Sequence, residues 1–284
     1  MLLEKLFTPM KINGCEISNR FVVPAMVVNY CNYNGTLTEK FIAYHEAKAK
    51  GGWGLIITED YGVNKNAGGY DRIPGLWNDE QIEKNIEFTD RIHKLGSKVF
   101  CQIYHAGRQA HQGVNGGVQP MAPSPIPCAI KRELPRALRV DEIKQIIEDF
   151  GDCALRAKKA GFDGVEIHSG HGYLLAEFLS PYSNKRTDEY GGCLTNRVRI
   201  VHEIIDNIRS KVGREFPLTI RFSADEDVDG GRTMAETRIL AKMFEEWGID
   251  AIHMSTGCYG SYDKGVVSTM YVDYAWTVDY AEEI

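Results

Sequence analysis

The sequence predicts an α/β protein: a TIM (β/α)8 barrel that is truncated after strand six and preceded by an N-terminal β-hairpin. Short apolar runs alternate with amphipathic helical periods along the chain, and this pattern indicates βαβ units and a parallel sheet. The length of 284 residues also suits a barrel. Titratable side chains gather directly after the fourth apolar run, and barrels keep their chemistry at the C-terminal ends of their strands.

Each predicted strand or turn has a local signal. Asn13-Gly14, between two short apolar runs, predicts a hairpin turn, because these residues accept positive φ angles. Pro24 lacks a backbone donor, so the first barrel strand should end near it. The predicted barrel strands are 21–26, 55–59, 98–103, 165–167, 217–222 and 251–255.

Helices are predicted between these strands, because apolar side chains recur there at three- and four-residue spacing. They begin near Thr36, Asn78, Asp141, Asn196 and Thr233. Thr36 and Thr233 are each followed by a glutamate three residues later, which predicts capping boxes. Residues 104–140 contain five prolines and little periodicity, so we expect a long loop with a functional role there.

Six strands are two fewer than a closed barrel of this kind needs. The chain stops soon after Tyr280, at the start of a sixth helical period. We therefore expect residues 1–284 to be the N-terminal part of a longer barrel, with strands seven and eight and any further domain beyond Ile284. The competing architecture is a six-stranded doubly wound sheet. No Gly-x-Gly-x-x-Gly turn follows the first strand, which counts against a dinucleotide-binding fold.

Composition argues against several classes of function. The net charge of −6 provides no basic surface for nucleic acid or an anionic membrane. The N-terminus lacks the pattern of a secretory signal, and no apolar run reaches the length of a membrane span. The seven cysteines include no C-x-x-C pair, which favours reduced, mostly buried thiols in a cytoplasmic protein.

Two histidines and a tyrosine form the strongest candidate site. His168, His171 and Tyr173 follow the fourth strand within six residues. Two neutral imidazoles can each donate an N–H to one oxygen, which would hold a carbonyl that develops enolate charge. The phenol stays protonated at neutral pH and can act as a proton donor. A zinc site and a structural histidine pair are the alternatives, although no His-Glu-x-x-His helix supports zinc.

Gln102 and Arg221 are polar residues near the ends of the third and fifth strands. Both need partners inside a barrel rim, because an unpaired buried charge costs several kcal/mol. A heteroaromatic cofactor with imide-like edges would satisfy them. Gln102 could donate and accept, and Arg221 could stabilise developing negative charge. The alternative is that Arg221 pairs with Asp225 or Glu226 as a structural bridge.

Residues 184–192 have the features of loop architecture rather than of chemistry. Arg186 and Asp188 can tie the loop by charge-assisted hydrogen bonds, and the two glycines that end it permit a positive-φ turn. His105 and Arg108 follow the third strand on the expected side of the site, but their spacing fixes no role.

Three segments together resemble the old yellow enzyme family: HSGHGYLLAEFLSPYSNKRTDEYGG (168–192), QIYHAGR (102–108) and TIRFSADE (219–226). The similarity is greatest to the branch that contains bacterial 2,4-dienoyl-CoA reductases, enoate reductases and bile-acid-inducible flavin oxidoreductases. It covers nearly the whole chain. The resemblance implies a barrel that holds FMN at its C-terminal mouth, so residues 1–284 would be the N-terminal part of an FMN-binding barrel domain.

The resemblance also implies a reaction, the reduction of the C=C bond of an α,β-unsaturated carbonyl compound. NADH or NADPH would reduce FMN, and flavin N5 would then give hydride to the β-carbon of an enone, an enoate or an enoyl-CoA. His168 and His171 would bind the substrate carbonyl, while Tyr173 would protonate the α-carbon from the other face. The implied cofactor-binding residues are Pro24, Ala25, Met26, Glu59, Asp60, Gln102 and Arg221.

Two positions depart from the family pattern. Val27 stands where the family often has Cys or Thr. Asp60 stands where a small residue is common, and it would add charge near the ring. Longer branch members carry iron–sulfur and nucleotide-binding domains, so a 4Fe-4S cluster and FAD are implied only for a longer protein.

The expectation from the sequence is thus a cytoplasmic FMN enzyme that acts on a small-molecule substrate. It would have no nucleic-acid or membrane partner, and a homo-oligomer stays open. Two alternatives remain: a non-catalytic barrel fragment, and a metal-dependent hydrolase that uses His168 and His171.

Overall fold

A curled parallel sheet with a hairpin at its base is the framework of the protein. The computed structural model describes residues 3–261, 266 and 271–284. The hairpin pairs β1 (Met10–Ile12) with β2 (Cys15–Ile17) in antiparallel fashion. The other strands are β3 (Val22–Val23), β4 (Leu55–Ile57), β5 (Tyr61–Gly62), β6 (Lys98–Tyr104), β7 (Met121–Ala122), β8 (Arg136–Ala137), β9 (Gly164–His168), β10 (Leu218–Ser223) and β11 (Ala251–Ser255).

The order of the strands decides the architecture. The main sheet runs β3-β4-β6-β9-β10-β11, and each neighbouring pair is parallel. A doubly wound sheet reverses its order at a switch point, whereas this sheet keeps chain order throughout. Each connection between neighbouring parallel strands is expected to be a right-handed crossover. Because all of them advance along the sheet in the same direction, the intervening helices lie on the same face of the sheet. The described residues therefore form six consecutive strands of a barrel, as the sequence predicts.

The helices lie mostly in the predicted crossovers. They are α1 (Glu39–Lys50), α2 (Ile82–His93), α3 (Val140–Lys159), α4 (Leu174–Leu179), α5 (Leu194–Arg197), α6 (Arg199–Val212), α7 (Met234–Glu246) and α8 (Val278–Glu283), with short 3-10 helices at Glu4–Phe7, Asp79–Gln81 and Gly107–Gln109. Within α3 and α6, Phe150, Ile204 and Ile208 are completely buried. Each such side chain contributes about 1.5–3 kcal/mol when it leaves water.

The hairpin covers the N-terminal end of the sheet. Ile12 and Ile17 share an apolar cluster with Leu55 and Phe100. Asn13 occupies the turn with φ 50°, and its Nδ2 donates to the Arg214 carbonyl at 2.7 Å. The hairpin therefore covers the base of the sheet, and the opposite, C-terminal end remains for chemistry.

Three local predictions need correction. The cap of α1 is Thr38, whose hydroxyl accepts from the Phe41 N–H at 3.3 Å, because Thr36 is engaged in the preceding turn with Asn34. Thr233 does stand at the N-cap of α7, but its side chain makes no capping bond.

The fourth predicted helix is interrupted at Val198, which separates α5 from α6. Helix α4 and strands β5, β7 and β8 have no counterpart in the prediction.

Six of the seven cysteines are buried, and all are free thiols, as expected. Among the described residues, no helix is long and apolar enough to cross a membrane. The predicted loop after the sixth strand includes residues 262–265 and 267–270, which lie outside the described residues.

Candidate active site

The candidate site lies at the C-terminal end of the sheet, on its inner side. Side chains alternate between the two faces of a strand. The register places Arg221 beside His168 of β9 and beside His253 of β11, and it places Gln102 beside Glu166 in the layer beneath. The fold thus brings together predicted site residues from three separate strands.

His168 is buried and neutral. Its Nδ1 accepts from the Gly170 N–H at 3.3 Å, so the proton of the neutral ring lies on Nε2. Burial is the main reason that its pKa lies well below the ordinary value, and positive charge at Arg221 acts in the same direction. The only hydrogen bond of this ring to another described residue is the one at Nδ1, so Nε2 is available as an N–H donor.

His171 is held more tightly than its neighbour. It adopts φ 58°, its carbonyl accepts from Gln109 Nε2 at 2.7 Å, and its N–H donates to Ser223 Oγ at 3.1 Å. Its Nε2 lies 2.6 Å from Ser255 Oγ. The site therefore differs from the expected pair of free donors, because a substrate oxygen would compete with Ser255 for this nitrogen.

Tyr173 stands against both histidine-bearing elements. It is the N-cap residue of α4, and its ring makes edge contacts with His168 at 4.9 Å and Tyr104 at 5.2 Å between centroids. Its hydroxyl lies 3.2 Å from those of Tyr70 and Tyr259. Burial, followed by the negative charge of Asp60, raises the pKa of Tyr173 well above the ordinary value. The phenol is therefore protonated.

Glu59 and Asp60 occupy the end of the second barrel strand, and their side chains differ in role. Glu59 Oε2 accepts from the Val28 N–H at 2.8 Å and fixes the loop after β3. Burial raises the pKa of Glu59 to about 7. Burial, then repulsion by Glu59, raises the pKa of Asp60 to about 8 despite the charge of Arg221. The expected negative charge at Asp60 is thus mostly absent at neutral pH.

Gln102 belongs to a polar chain inside the barrel arc. Its Nε2 donates to Glu166 Oε1 at 2.7 Å, and His253 Nδ1 lies 3.0 Å from Glu166 Oε2. Although burial opposes it, the charge and hydrogen bond of His253 hold the pKa of Glu166 below its usual range. The amide nitrogen of Gln102 is therefore already hydrogen-bonded to Glu166. The sequence instead predicts an amide that is available to a cofactor.

Arg221 reaches from β10 toward the first strand. Its Nη1 donates to the Ala25 carbonyl at 3.2 Å, and its Nε is buried without a hydrogen-bond partner among the described residues. The alternative bridge to Asp225 or Glu226 is wrong for the described chain. Glu226 instead accepts from Ser180 Oγ at 2.5 Å. Arg221 thus offers one unused donor beside the backbone of residue 25.

The segment after β3 carries one exposed apolar side chain, Met26, which is 53% exposed. Pro24 lines a cavity of about 380 Å³ on the inner side of the sheet that reaches down to Ile12 of the hairpin and is also lined by Glu166 and His253. Val27 is partly buried against the cluster that contains Tyr173.

His105 and Arg108, which follow β6, hold α4 in position and do not provide catalytic groups. The His105 carbonyl accepts from the Leu174 N–H at 3.0 Å, and the Arg108 N–H donates to Glu177 Oε1 at 2.8 Å. Burial raises the pKa of Glu177 to about 8, so this acid is mainly protonated at neutral pH. Residue 173 is thereby fixed from the β6 side.

Residues 184–192 are loop architecture, as predicted. Arg186 Nη2 binds Asp188 Oδ2 at 2.5 Å, and its Nη1 donates to the Leu138 carbonyl at 2.6 Å. A Cβ on Gly191 would lie 2.3 Å from the Arg186 carbonyl oxygen.

The alternative of a zinc site at His168 and His171 finds no support among the described residues. Within residues 3–261, 266 and 271–284, no group of three or more His, Cys, Asp or Glu side chains could hold a metal ion.

Five residues at the site are not predicted from the sequence: Tyr70, Glu166, His253, Ser255 and Tyr259. The alternation of side chains along a strand would have predicted three of them. Glu166, His253 and Ser255 share the inward face with His168 and Arg221. The two tyrosines lie in loops, where no periodic signal exists.

Comparison with known proteins relates this sequence to flavin oxidoreductases. The family model described as "NADH:flavin oxidoreductase / NADH oxidase family" matches residues 5–270. An NADH oxidase of Thermoanaerobacter brockii is 42% identical over 283 residues, which cover 98% of this chain and 43% of that protein. An NADPH dehydrogenase of Bacillus subtilis is 38% identical over 276 residues, which cover 96% of this chain and 80% of that protein.

Solved structures show the same fold. A 2-naphthoyl-CoA reductase in complex with 2-naphthoyl-CoA superposes with a TM-score of 0.93 and 31% identity, covering 98% of this chain and 44% of that one. An old yellow enzyme homologue from Zymomonas mobilis gives a TM-score of 0.82 and 30% identity, covering 92% and 77%. The chain spans less than half the length of the Thermoanaerobacter NADH oxidase. Since the family model matches most of its residues, the chain belongs to the old yellow enzyme family of NADH:flavin oxidoreductases and NADH oxidases.

Proposed function

We propose that the full-length protein is an FMN-dependent oxidoreductase that uses NADH or NADPH to reduce the C=C bond of an α,β-unsaturated carbonyl compound. One observation carries this proposal: His168 Nε2–H and the Tyr173 hydroxyl are two neutral donors on one wall, with ring centroids 4.9 Å apart. One donor suits a carbonyl oxygen, and the other suits the carbon that must accept a proton.

The residues present fit a flat, hydrogen-bonding ring at the mouth of the sheet. The unused Nε of Arg221 is a donor for a ring acceptor, and the exposed face of Met26 is an apolar platform. We assign FMN to these two residues together with Pro24, Ala25, Glu59, Asp60 and Gln102. Glu59 would contribute by accepting the hydrogen bond that fixes the loop of Val28. Gln102 would contribute while its amide nitrogen stays hydrogen-bonded to Glu166. When bound, FMN would supply the hydride for the β-carbon.

The two histidines would bind and polarise the substrate carbonyl. His168 donates its free Nε2–H, and its lowered pKa keeps the ring neutral. A neutral N–H donor that points at the carbonyl oxygen stabilises the negative charge that develops there in the transition state. Because the imidazole is uncharged, no charged group has to be desolvated when the substrate binds. His171 would contribute a second contact if Ser255 turns its hydroxyl away from Nε2.

Tyr173 would hold the proton for the α-carbon. Its hydroxyl is protonated over the physiological pH range because burial raises its pKa. The position is fixed by α4, since the Leu174 N–H is bound to the His105 carbonyl. Proton donors positioned in this way contribute about 10²–10⁴-fold to rate.

Replacement of this donor gives the first prediction. In full-length FMN-loaded protein, Tyr173→Phe should slow oxidation of the reduced flavin by an enone about 10²–10⁴-fold. It should leave flavin reduction by NAD(P)H within about twofold, because no proton is delivered to carbon in that half-reaction. Stopped-flow absorbance measures both steps. Tyr190→Phe is the matched control, because it removes a partly buried hydroxyl that donates to Glu203 of α6 and makes no contact with Tyr173.

Equal losses in the two half-reactions would contradict the role of Tyr173. Purified full-length protein that is colourless and gains no flavin when FMN is added would contradict the proposed function as a whole.

A further inference from the structure

Three phenol hydroxyls meet beside the candidate proton donor. Tyr70 comes from the loop after β5, Tyr173 from the start of α4, and Tyr259 from the segment after β11. Tyr173 lies 3.2 Å from each of the other two oxygens, and Tyr70 and Tyr259 are also hydrogen-bonded to each other. Three chain segments that are distant in sequence thus place their hydroxyls in one triangle.

The three side chains differ in access to water. Tyr173 is 5% exposed, whereas Tyr70 and Tyr259 are both partly exposed. The Lys131 ammonium lies 5.6 Å from the centre of the Tyr70 ring. A proton that travels from solvent to Tyr173 therefore has a hydrogen-bonded route through its partners.

The backbone holds this triangle in place. Tyr104 OH accepts from the Gly69 N–H at 2.9 Å, which fixes the residue next to Tyr70. On the other side, the Cys258 N–H donates to Ser261 Oγ at 2.8 Å and fixes the turn that carries Tyr259. The two hydroxyls are therefore presented by anchored loops.

The proposed chemistry creates a need that the triangle can meet. When Tyr173 gives its proton to carbon, it becomes a phenolate at a buried position, and a buried charge without hydrogen bonds is strongly disfavoured. Either hydroxyl can donate to that oxygen at 3.2 Å while it accepts from the other, and both can donate when the hydrogen bond between Tyr70 and Tyr259 opens. Hydrogen bonds to an ionised acceptor are roughly twice as strong as neutral ones.

We propose that Tyr70 and Tyr259 form a proton relay that stabilises the Tyr173 phenolate and returns its proton from solvent. This inference rests on the proposed function. The Tyr173 O–H bond breaks as the C–H bond forms at the α-carbon. The Tyr70 O–H bond then breaks as the Tyr173 O–H bond re-forms, and Tyr70 recovers a proton from water or a buffer acid. No oxidation or reduction occurs in these transfers. Tyr70 and Tyr259 are positioning residues, because they act through Tyr173.

The test uses Tyr70→Phe and Tyr259→Phe in full-length FMN-loaded protein, with Tyr190→Phe as the matched control. Each relay variant should slow oxidation of the reduced flavin by an enone by about tenfold, less than loss of the donor itself. Reduction by NAD(P)H should stay within about twofold of wild type. The dependence of the oxidation rate on the D2O fraction should be curved in wild type and less curved in each variant. The hydroxyl protons of Tyr70 and Tyr259 tighten onto the developing phenolate as the Tyr173 proton leaves, and each variant lacks one of them.

A second measurement needs no turnover. In protein labelled with ¹³Cζ-tyrosine, the Tyr173 signal should move in both relay variants and stay in place in Tyr190→Phe. An active wild type whose relay variants keep its rate, its D2O dependence and its Tyr173 signal would overturn the relay alone. A wild type that reduces no enone would overturn the proposed function and the relay together.

Discussion

At the scale of single residues, the buried acid Asp60 is mostly uncharged at neutral pH. It is 3% exposed, and burial with repulsion from Glu59 raises its pKa to about 8. The raised pKa of Tyr173 depends in part on the same carboxyl. A protonated Asp60 therefore adds no negative charge of its own at neutral pH, whereas an ionised Asp60 would oppose negative charge on nearby groups.

The pH dependence of stability follows from these shifts. Because the folded-state pKa of Asp60 is raised, its contribution is fully present below about pH 4 and is lost as pH rises through 8. Asp60→Asn, which imitates the protonated acid, should remove this loss. Relative to wild type, the variant should gain about 2 kcal/mol or more of unfolding free energy between pH 4 and pH 9.

Urea denaturation of the full-length protein at several pH values measures this gain. The exposed Asp90→Asn is the control and should follow the wild-type curve. Parallel curves for wild type and Asp60→Asn would show that residue 60 is already ionised at neutral pH.

At the scale of elements, the turn between β9 and α4 sets the geometry of the site. His171 and Gly172 both have positive φ, 58° and 77°, so the chain reverses within two residues and brings Tyr173 back against His168. A Cβ on Gly172 would lie 2.9 Å from Gln109 Nε2 and 3.1 Å from the Cβ of Cys258. Both the backbone angle and the close approach of Cys258 favour glycine at this position.

A matched pair of substitutions separates these two requirements. Gly192 has φ 84°, and a Cβ added there would have no neighbouring atom within 4 Å, so Gly192→Ala should cost only the left-handed strain of about 1–2 kcal/mol. Gly172→Ala should cost roughly 1–3 kcal/mol more, because the new methyl overpacks the turn. Thermal and urea unfolding measure the difference. Equal costs for the two variants would mean that the turn relaxes without strain.

At the scale of the whole molecule, one carboxylate joins the elements at the base of the sheet. Asp250 Oδ2 accepts from Arg209 Nη2 and from the Leu218 N–H, both at 2.8 Å, and Oδ1 accepts from Asn13 Nδ2 at 3.1 Å. These bonds connect the hairpin, α6 and β10 immediately before β11. The base is thus fixed by hydrogen bonds where the hairpin turn meets the fifth and sixth strands.

Loss of this carboxylate should destabilise the fold without a direct effect on the mouth. Asp250→Ala should lower the free energy of unfolding by about 2 kcal/mol, because the N–H of the buried Leu218 loses its acceptor and Arg209 loses its ion pair. Asp206→Ala, whose side chain is 69% exposed, should change it by less than about 0.5 kcal/mol. Urea denaturation with intact flavin content distinguishes the two, and equal midpoints for these variants would argue against a role for Asp250 at the base.

Much of the fold and part of the site could be predicted from the sequence, because the relevant signals are local. The alternation of apolar runs with helical periods fixed the order of strands and helices, and Asn13-Gly14 marked the hairpin. His168, His171 and Tyr173 were found because they lie within six residues of one strand end. Capping was less predictable, since Thr36 and Thr38 compete for the same helix and the preceding turn takes Thr36.

The tertiary structure alone decided which groups these residues meet. The hydroxyl partners of His171 and Tyr173 lie 84 to 103 residues away in sequence, and Glu166 is linked to His253 across 87 residues. Such contacts arise only when the strands curl and their loops converge, which no local spacing encodes. The protonation states follow from the same convergence, because burial raises the pKa of Asp60 and lowers that of His168. The sequence by itself therefore determined the chemical groups and their place in the fold, and tertiary burial decided their charge and partners.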